Sequence, residues 1–174
     1  MNAFLLIVLR LVHVASGILW GGAAVFLLFF VKPSVKAIGA AGPQFMQSLV
    51  ERRRAPLFML GASVLTVVSG GILYWFSSGG FNAAWIASGP GIGFTIGSAA
   101  ALIGFLFGAF GIGPTSAQMG ALGAQIAASG KGPTPEQAAR MEALEKRLNI
   151  AERVDFIMLA LAILMMATAR YWTF

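Results

Sequence analysis

The sequence predicts an all-α, polytopic membrane protein: a four-helix bundle built from two helical hairpins in a parallel repeat. Three observations carry that expectation. Apolar residues fill 58% of the 174 positions and charged residues only 10%, where soluble domains carry about 25% charged residues. Apolar runs recur at the roughly 20 residues that a helix needs to cross about 30 Å of hydrocarbon. The basic residues gather in the connections between those runs.

Residues 1–174 read as a single integral membrane domain. The net charge of +6 contains no long basic run, so it reads as membrane topology, and nucleic acid is not an expected partner. The chain has no cysteine, which removes disulfides, thiolate metal sites and thiol nucleophiles.

The first crossing covers residues 2–31. Its apolar core is too long for a cleaved signal peptide, so it is expected to remain as a mature helix. Lys32 and Pro33 should end it, because proline cannot continue the backbone ladder. Residues 43–54 should form an amphipathic segment with Phe45, Leu49 and Val50 on one side, lying on anionic headgroups through Arg52, Arg53 and Arg54. The second crossing, residues 56–76, ends in an aromatic belt of Tyr74, Trp75 and Phe76. An uncharged connection punctuated by Gly and Pro then leads to the third, residues 91–113. There the four-residue spacings Gly93 to Gly97 and Gly104 to Gly108 favour close helix contact. After Pro114 the composition predicts a polar loop. Thr134, Pro135 and Gln137 form a capping-box start for an amphipathic extension over residues 134–150, which runs into the fourth crossing, residues 151–172.

Five of the 12 basic residues lie in residues 32–55 and four in residues 116–152, while the middle connection holds none. The excess of positive charge on cytoplasmic loops then puts both termini outside the cytoplasm in a multi-pass protein, and the compact connections favour the cell inner membrane. Arg54, Met59, Leu60 and Tyr74-Trp75 are echoed by Arg153, Met158, Leu159 and Tyr171-Trp172. Two hairpins sharing one orientation make a parallel repeat about an axis along the membrane normal.

Chemistry concentrates on the first crossing, which holds the only histidine. Arg10 and His13 are three residues apart on one helix face, and that face continues through Gly17, Trp20 and Gly21. Ionisable groups at membrane depth lean toward function. His13 and the pair Met165 and Met166 lie about ten residues in from the same end of the first and fourth crossings, so antiparallel packing puts them at similar depth. Histidine and methionine are an established axial pair for haem iron. Arg10 and Arg170 are placed to receive propionates, and Gly17 would leave space for a macrocycle. A histidine from each half of a homodimer is a second arrangement. A plainer reading leaves Met165 and Met166 as apolar filler and lets both arginines reach water along their stems. It has His13 bond only to a backbone carbonyl or to Ser16, Ser63 or Ser69.

The run LVHVASGILWGG, with tryptophan seven residues after histidine and glycine just beyond, resembles the first helix of the haem-dependent protoporphyrinogen oxidases and the copper-resistance-D-like membrane proteins. ERRRAPLFMLGASVLTVVSGGILYW is similar to their second helix, and KRLNIAERVDFIMLALAILMMA to the last helix of the oxidases. The resemblance implies that His13 ligates a b-type haem. It stops short at the third crossing, where the oxidases carry a functional lysine and this chain has no ionisable residue. Copper handling is also poorly matched, since Cu(I) sites favour Cys and clustered Met.

Two functions are therefore expected from different classes. One is a haem b protein of membrane electron transfer, without catalysis of its own. The other is a non-catalytic accessory subunit whose Gly17 and Gly104 faces dock on other membrane proteins. Porphyrinogen oxidation ranks behind both. Partners are the bilayer, a second copy of the chain or other membrane subunits.

Overall fold

Asn2 opens the first helix by accepting the Phe4 N–H through its side chain at 3.0 Å, and α1 then runs over Ala3–Phe26. The computed structural model describes residues 2–174, apart from the side chain of Ala40. Among them every regular element is helical, with no strand.

Pro33 does not end the first helix. A π-helical turn over Leu27–Val31 leads directly into α2, Lys32–Ala37, with the proline in its first turn. Pro114 behaves alike: a π turn over Phe107–Ile112 joins α6, Gly89–Leu106, to α7, Gly113–Ala128. Residues expected to form a polar loop are thus helical. The physical reason is the same in both places. A proline inside an α-helix clashes with the carbonyl four residues back and removes one hydrogen bond, and a π turn ahead of it re-routes the ladder. Lys32 N–H bonds Leu27 O and Gly113 N–H bonds Gly108 O, each five residues back and each just before its proline.

The remaining elements follow their sequence signals more closely. The amphipathic segment is α3, Gly42–Gln47, followed by a π turn over Ser48–Arg52. Arg54 takes a left-handed φ of 52° and turns the chain into α4, Ala55–Ser77. Asn82 caps the short α5, Ala83–Ile86, between α4 and α6. Both bonds of the capping box at Thr134 and Gln137 form, and they start α8, Pro135–Thr168. On the exposed part of α8, Lys146 sits 2.7 Å from Glu142 and holds that carboxyl below its ordinary range by hydrogen bond and charge.

Three helical stretches are long and apolar enough to cross a membrane: Ala3–Ala37, Ala55–Ser77 and Gly89–Ala128. The lower half of the fourth long helix, α8, carries Glu152, Arg153 and Asp155 close together, and it is not among them. The long helices pack chiefly in two pairs, α1 with α4 and α6 with α8, joined through contacts of α4 with α6 and of α1 with α8.

The burial pattern is inverted relative to a water-soluble bundle. Phe4, Leu11, Ile18, Phe110 and Leu164 are exposed, whereas Ser16, Ser63, Thr66, Ser69 and a series of glycines and alanines are buried. Large side chains facing outward and small ones at the helix contacts are what packing in lipid favours, because lipid supplies no hydrophobic force between helices. The α6–α8 seam shows how close the approach is. A Cβ on Gly93 would stand 2.7 Å from that of Ala169, and one on Gly97 2.8 Å from Met166 Cγ. Trp20 is the large exception inside: it is 4% exposed and packs with Ala62 and Leu159 at the centre.

Candidate functional site

His13 stands one turn before Ser16 on the face of α1 that meets α4. Its Nδ1 lies 2.9 Å from the carbonyl oxygen of Thr66 and 3.4 Å from Ser69 Oγ. A carbonyl only accepts, so Nδ1 carries the proton and donates it. Nε2 has no hydrogen-bond partner among the described residues. Fixing one ring nitrogen on a backbone carbonyl is how proteins orient a histidine whose other nitrogen binds a metal. Local helix chemistry supports the contact. The Ser16 hydroxyl donates to Val12 O at 2.7 Å, and Thr66 Oγ1 lies 2.9 Å from Ser16 Oγ, so a polar strip ties α1 to α4 just below the imidazole.

Above that strip the helices diverge around a cavity of about 480 Å³, within the 300–1,000 Å³ range of small-molecule and cofactor sites. Arg10, His13, Met166 and Arg170 all line it, although they come from opposite ends of the chain. α4 contributes Gly70, Leu73, Tyr74 and Ser77, α5 adds Trp85, and α6 adds Phe94 and Ser98. Trp85 and Phe94 are stacked with an interplanar angle of 11°, and Tyr74 meets Trp85 edge-on at 5.5 Å. The Tyr74 hydroxyl is 2.5 Å from Thr95 Oγ1, which fixes the ring. The walls are therefore aromatic and flat. Both fully charged groups in the lining are guanidiniums, and no carboxylate joins them. Such a site suits an apolar, planar guest that carries negative charge on one edge.

Two expected site residues lie elsewhere. Met165 does not line the cavity; its Cβ faces Gly97, 3.3 Å from where a Cβ there would sit. One helical position separates it from Met166, a rotation of about 100° that carries the thioether out of the lining. Gly17 also misses the cavity and faces the Thr66 methyl across the α1–α4 contact, at an ordinary 3.7 Å from a built Cβ. The glycine that makes room for His13 is Gly70 of α4, where a Cβ would come within 2.7 Å of His13 Cε1. The sequence shows Gly70 only as the first of the pair Gly70-Gly71 in an apolar helix, with no sign of its partner. Tyr74, expected at a lipid interface, is half-buried and turns into the site with Trp85.

The docking faces of the accessory-subunit reading are also partly used within the chain. Gly17 meets Thr66, and Gly104 meets Asp155 and Met158. Among the described residues no cluster of three or more metal-ligating His, Cys, Asp or Glu side chains exists, so His13 would supply the only nitrogen to any metal in this cavity. No family model, no curated protein and no solved structure matches the chain.

Proposed function

We propose that this chain is a b-type haem protein of the inner membrane that takes part in electron transfer. The single observation that carries the reading is the convergence of Arg10, His13, Met166 and Arg170 on one aromatic-walled cavity. His13 would hold the iron through Nε2, the nitrogen left free by the Nδ1 bond to Thr66. Met166 replaces the pair Met165 and Met166 as the candidate second ligand. Arg10 and Arg170, both exposed at the cavity rim, would receive propionates in paired hydrogen bonds. Bound there, haem b would supply one-electron chemistry, with its potential set by axial ligand and burial. The chain's own part is to orient the imidazole, to exclude water with the aromatic walls of Tyr74, Trp85 and Phe94, and to balance the propionate charge.

The architecture proposed with it has four crossings in two parallel hairpins, α8 being the fourth. Its support is a feature shared by the two hairpins: each first helix carries a π turn just before a proline, Leu27–Val31 before Pro33 and Phe107–Ile112 before Pro114. Charge asymmetry puts both termini outside the cytoplasm, so the cavity opens toward the outer surface.

The test is an absorption spectrum of the detergent-purified protein, oxidised and then reduced with dithionite, with pyridine treatment to identify the haem. A reduced α-band of haem b that disappears in His13→Ala and shifts in Met166→Ala is the expected result. A colourless protein, expressed with haem supplied, overturns the reading and leaves the accessory-subunit function in front. That alternative draws on Gly22, Gly61 and Gly71, where an added Cβ meets nothing within 4 Å, leaving small-residue patches open to another helix.

A further inference from the structure

Asp155 belongs to no part of the cavity, yet among the described residues it is the one buried carboxylate. It is 4% exposed, and its Oδ1 has no hydrogen-bond partner. The oxygen lies in a notch made by two glycines of the facing stretch, 3.3 Å from where a Cβ on Gly104 would be and 4.0 Å from one on Gly108. Gly108 belongs to the π turn Phe107–Ile112, and π turns often occur at functional positions. The facing helix offers no compensating charge, since residues 89–130 contain no ionisable side chain. On α8 itself Glu152 lies one turn away on the same face, while Arg153, two positions away, lies on another face and is exposed.

Glu152 leads outward. Its carboxylate pairs with Lys32 from the end of the first helix, and the two side chains are 19% and 33% exposed. Lys32 Nζ also donates to Asn149 Oδ1 at 2.8 Å, and Asn149 is exposed. Asn149, Glu152 and Asp155 thus stand at three-residue intervals on one side of α8, running from water into the seam. Groups spaced that way have Cβ atoms about 5–6 Å apart, which a single bridging water spans.

We propose that Asp155 is a proton-binding site, loaded from the end of the molecule opposite the termini through Glu152. A carboxylate without partners must be balanced by a cation, and the tight glycine notch selects a proton. Alkali and divalent ions need several oxygen ligands, and the facing stretch presents glycine there with no oxygen-bearing side chain. In the transfer the Glu152 carboxyl gives its proton to the Asp155 carboxylate directly or through one water. Glu152 is then reprotonated by a bulk proton carried as hydronium to the water beside Lys32, so the net step takes one proton from solution and neutralises one carboxylate, Asp155. None of this depends on whether the cavity holds haem.

The experiment uses the full chain in liposomes, with dicyclohexylcarbodiimide, which adds to a protonated carboxyl in an apolar setting, and with infrared spectroscopy of the carboxyl C=O stretch. Asp155 should be labelled at low pH, protected as pH rises and indifferent to sodium. The protonated-carboxyl band should vanish in Asp155→Asn, a substitution of nearly the same shape. In Glu152→Gln the band should persist but exchange with D₂O more slowly by roughly a hundredfold, the scale of a positioned proton donor. Absence of labelling at Asp155 at every pH, or protection by sodium at fixed pH, overturns the proton site. Unchanged exchange in Glu152→Gln overturns the route. Labelling of wild type needs no variant to fold, so the proposal stays testable even where Asp155→Asn is unstable.

Discussion

His13 owes its orientation to Gly70. The imidazole edge lies where a Cβ on that residue would stand 2.7 Å from Cε1 and 3.1 Å from Nδ1. Gly70→Ala should therefore push the ring off the Thr66 carbonyl and free its tautomer. Loss of an orienting contact costs metal sites roughly 10–100-fold in affinity, so under the proposed haem reading the haem retained per protein after gel filtration should fall on that scale while the helical circular-dichroism signal is kept. Gly17→Ala, at an ordinary 3.7 Å from its neighbour, should leave retention unchanged; equal losses in the two variants would remove the special role of Gly70. His13, Arg10, Met166 and Arg170 were legible in the sequence because costly or sulfur-bearing residues at matching depths stand out against an apolar background. Gly70 was not, because its meaning lies in a contact 57 positions away in the chain. Met165 and Met166 could not be separated without the helix phase, and that phase comes from packing.

Glycines along α6 set the distance to α8, and the prolines decide where the helices extend beyond their pairs. Gly93 faces Ala169 with a built Cβ 2.7 Å from Ala169 Cβ and 3.0 Å from its Cα, and Ala169 is fully buried. No flexible side chain can yield there, so Gly93→Leu must separate the helices or bend one. Overpacking of this kind costs about 1–3 kcal/mol, to be read as a lower Tm in detergent, and it should loosen the cavity that α6 and α8 wall together. Gly22→Leu, with open space around it, is the matched control; a drop in Tm as large as that of Gly93→Leu would argue against a seam set by contact distance. The sequence disclosed these close spacings and the capping box of α8, since both are local patterns. It misplaced the ends at Pro33 and Pro114, because the π turns that admit a proline are a compromise of backbone geometry with no residue signature of their own.

The orientation of the whole molecule rests on charge, and the weakest helix is where that can be tested. At about 1.5 Å per residue the 34 residues of α8 extend about 50 Å, well past the roughly 30 Å of hydrocarbon. On the proposed four-crossing architecture, its capped, charged first half projects from the membrane on the side of Lys36 and the Arg52, Arg53 and Arg54 run, both exposed. On that architecture Glu152, Arg153 and Asp155 stand where the helix would enter. Each has a means of doing so: Glu152 is paired with Lys32, Arg153 is exposed at the boundary, and Asp155 is turned into the α6 notch. A fourth crossing is consistent with these placements, although α8 lacks the uniform apolarity of the other three. A reporter that fluoresces only in the cytoplasm should be bright when inserted at Gly130, in the turn between α7 and α8, and dark when fused after Phe174. A phosphatase active only outside should show the reverse. Cytoplasmic fluorescence at both positions would mean that α8 does not cross. Reversed signals at both would mean that the basic connections do not set the orientation, and would place the cavity on the cytoplasmic side.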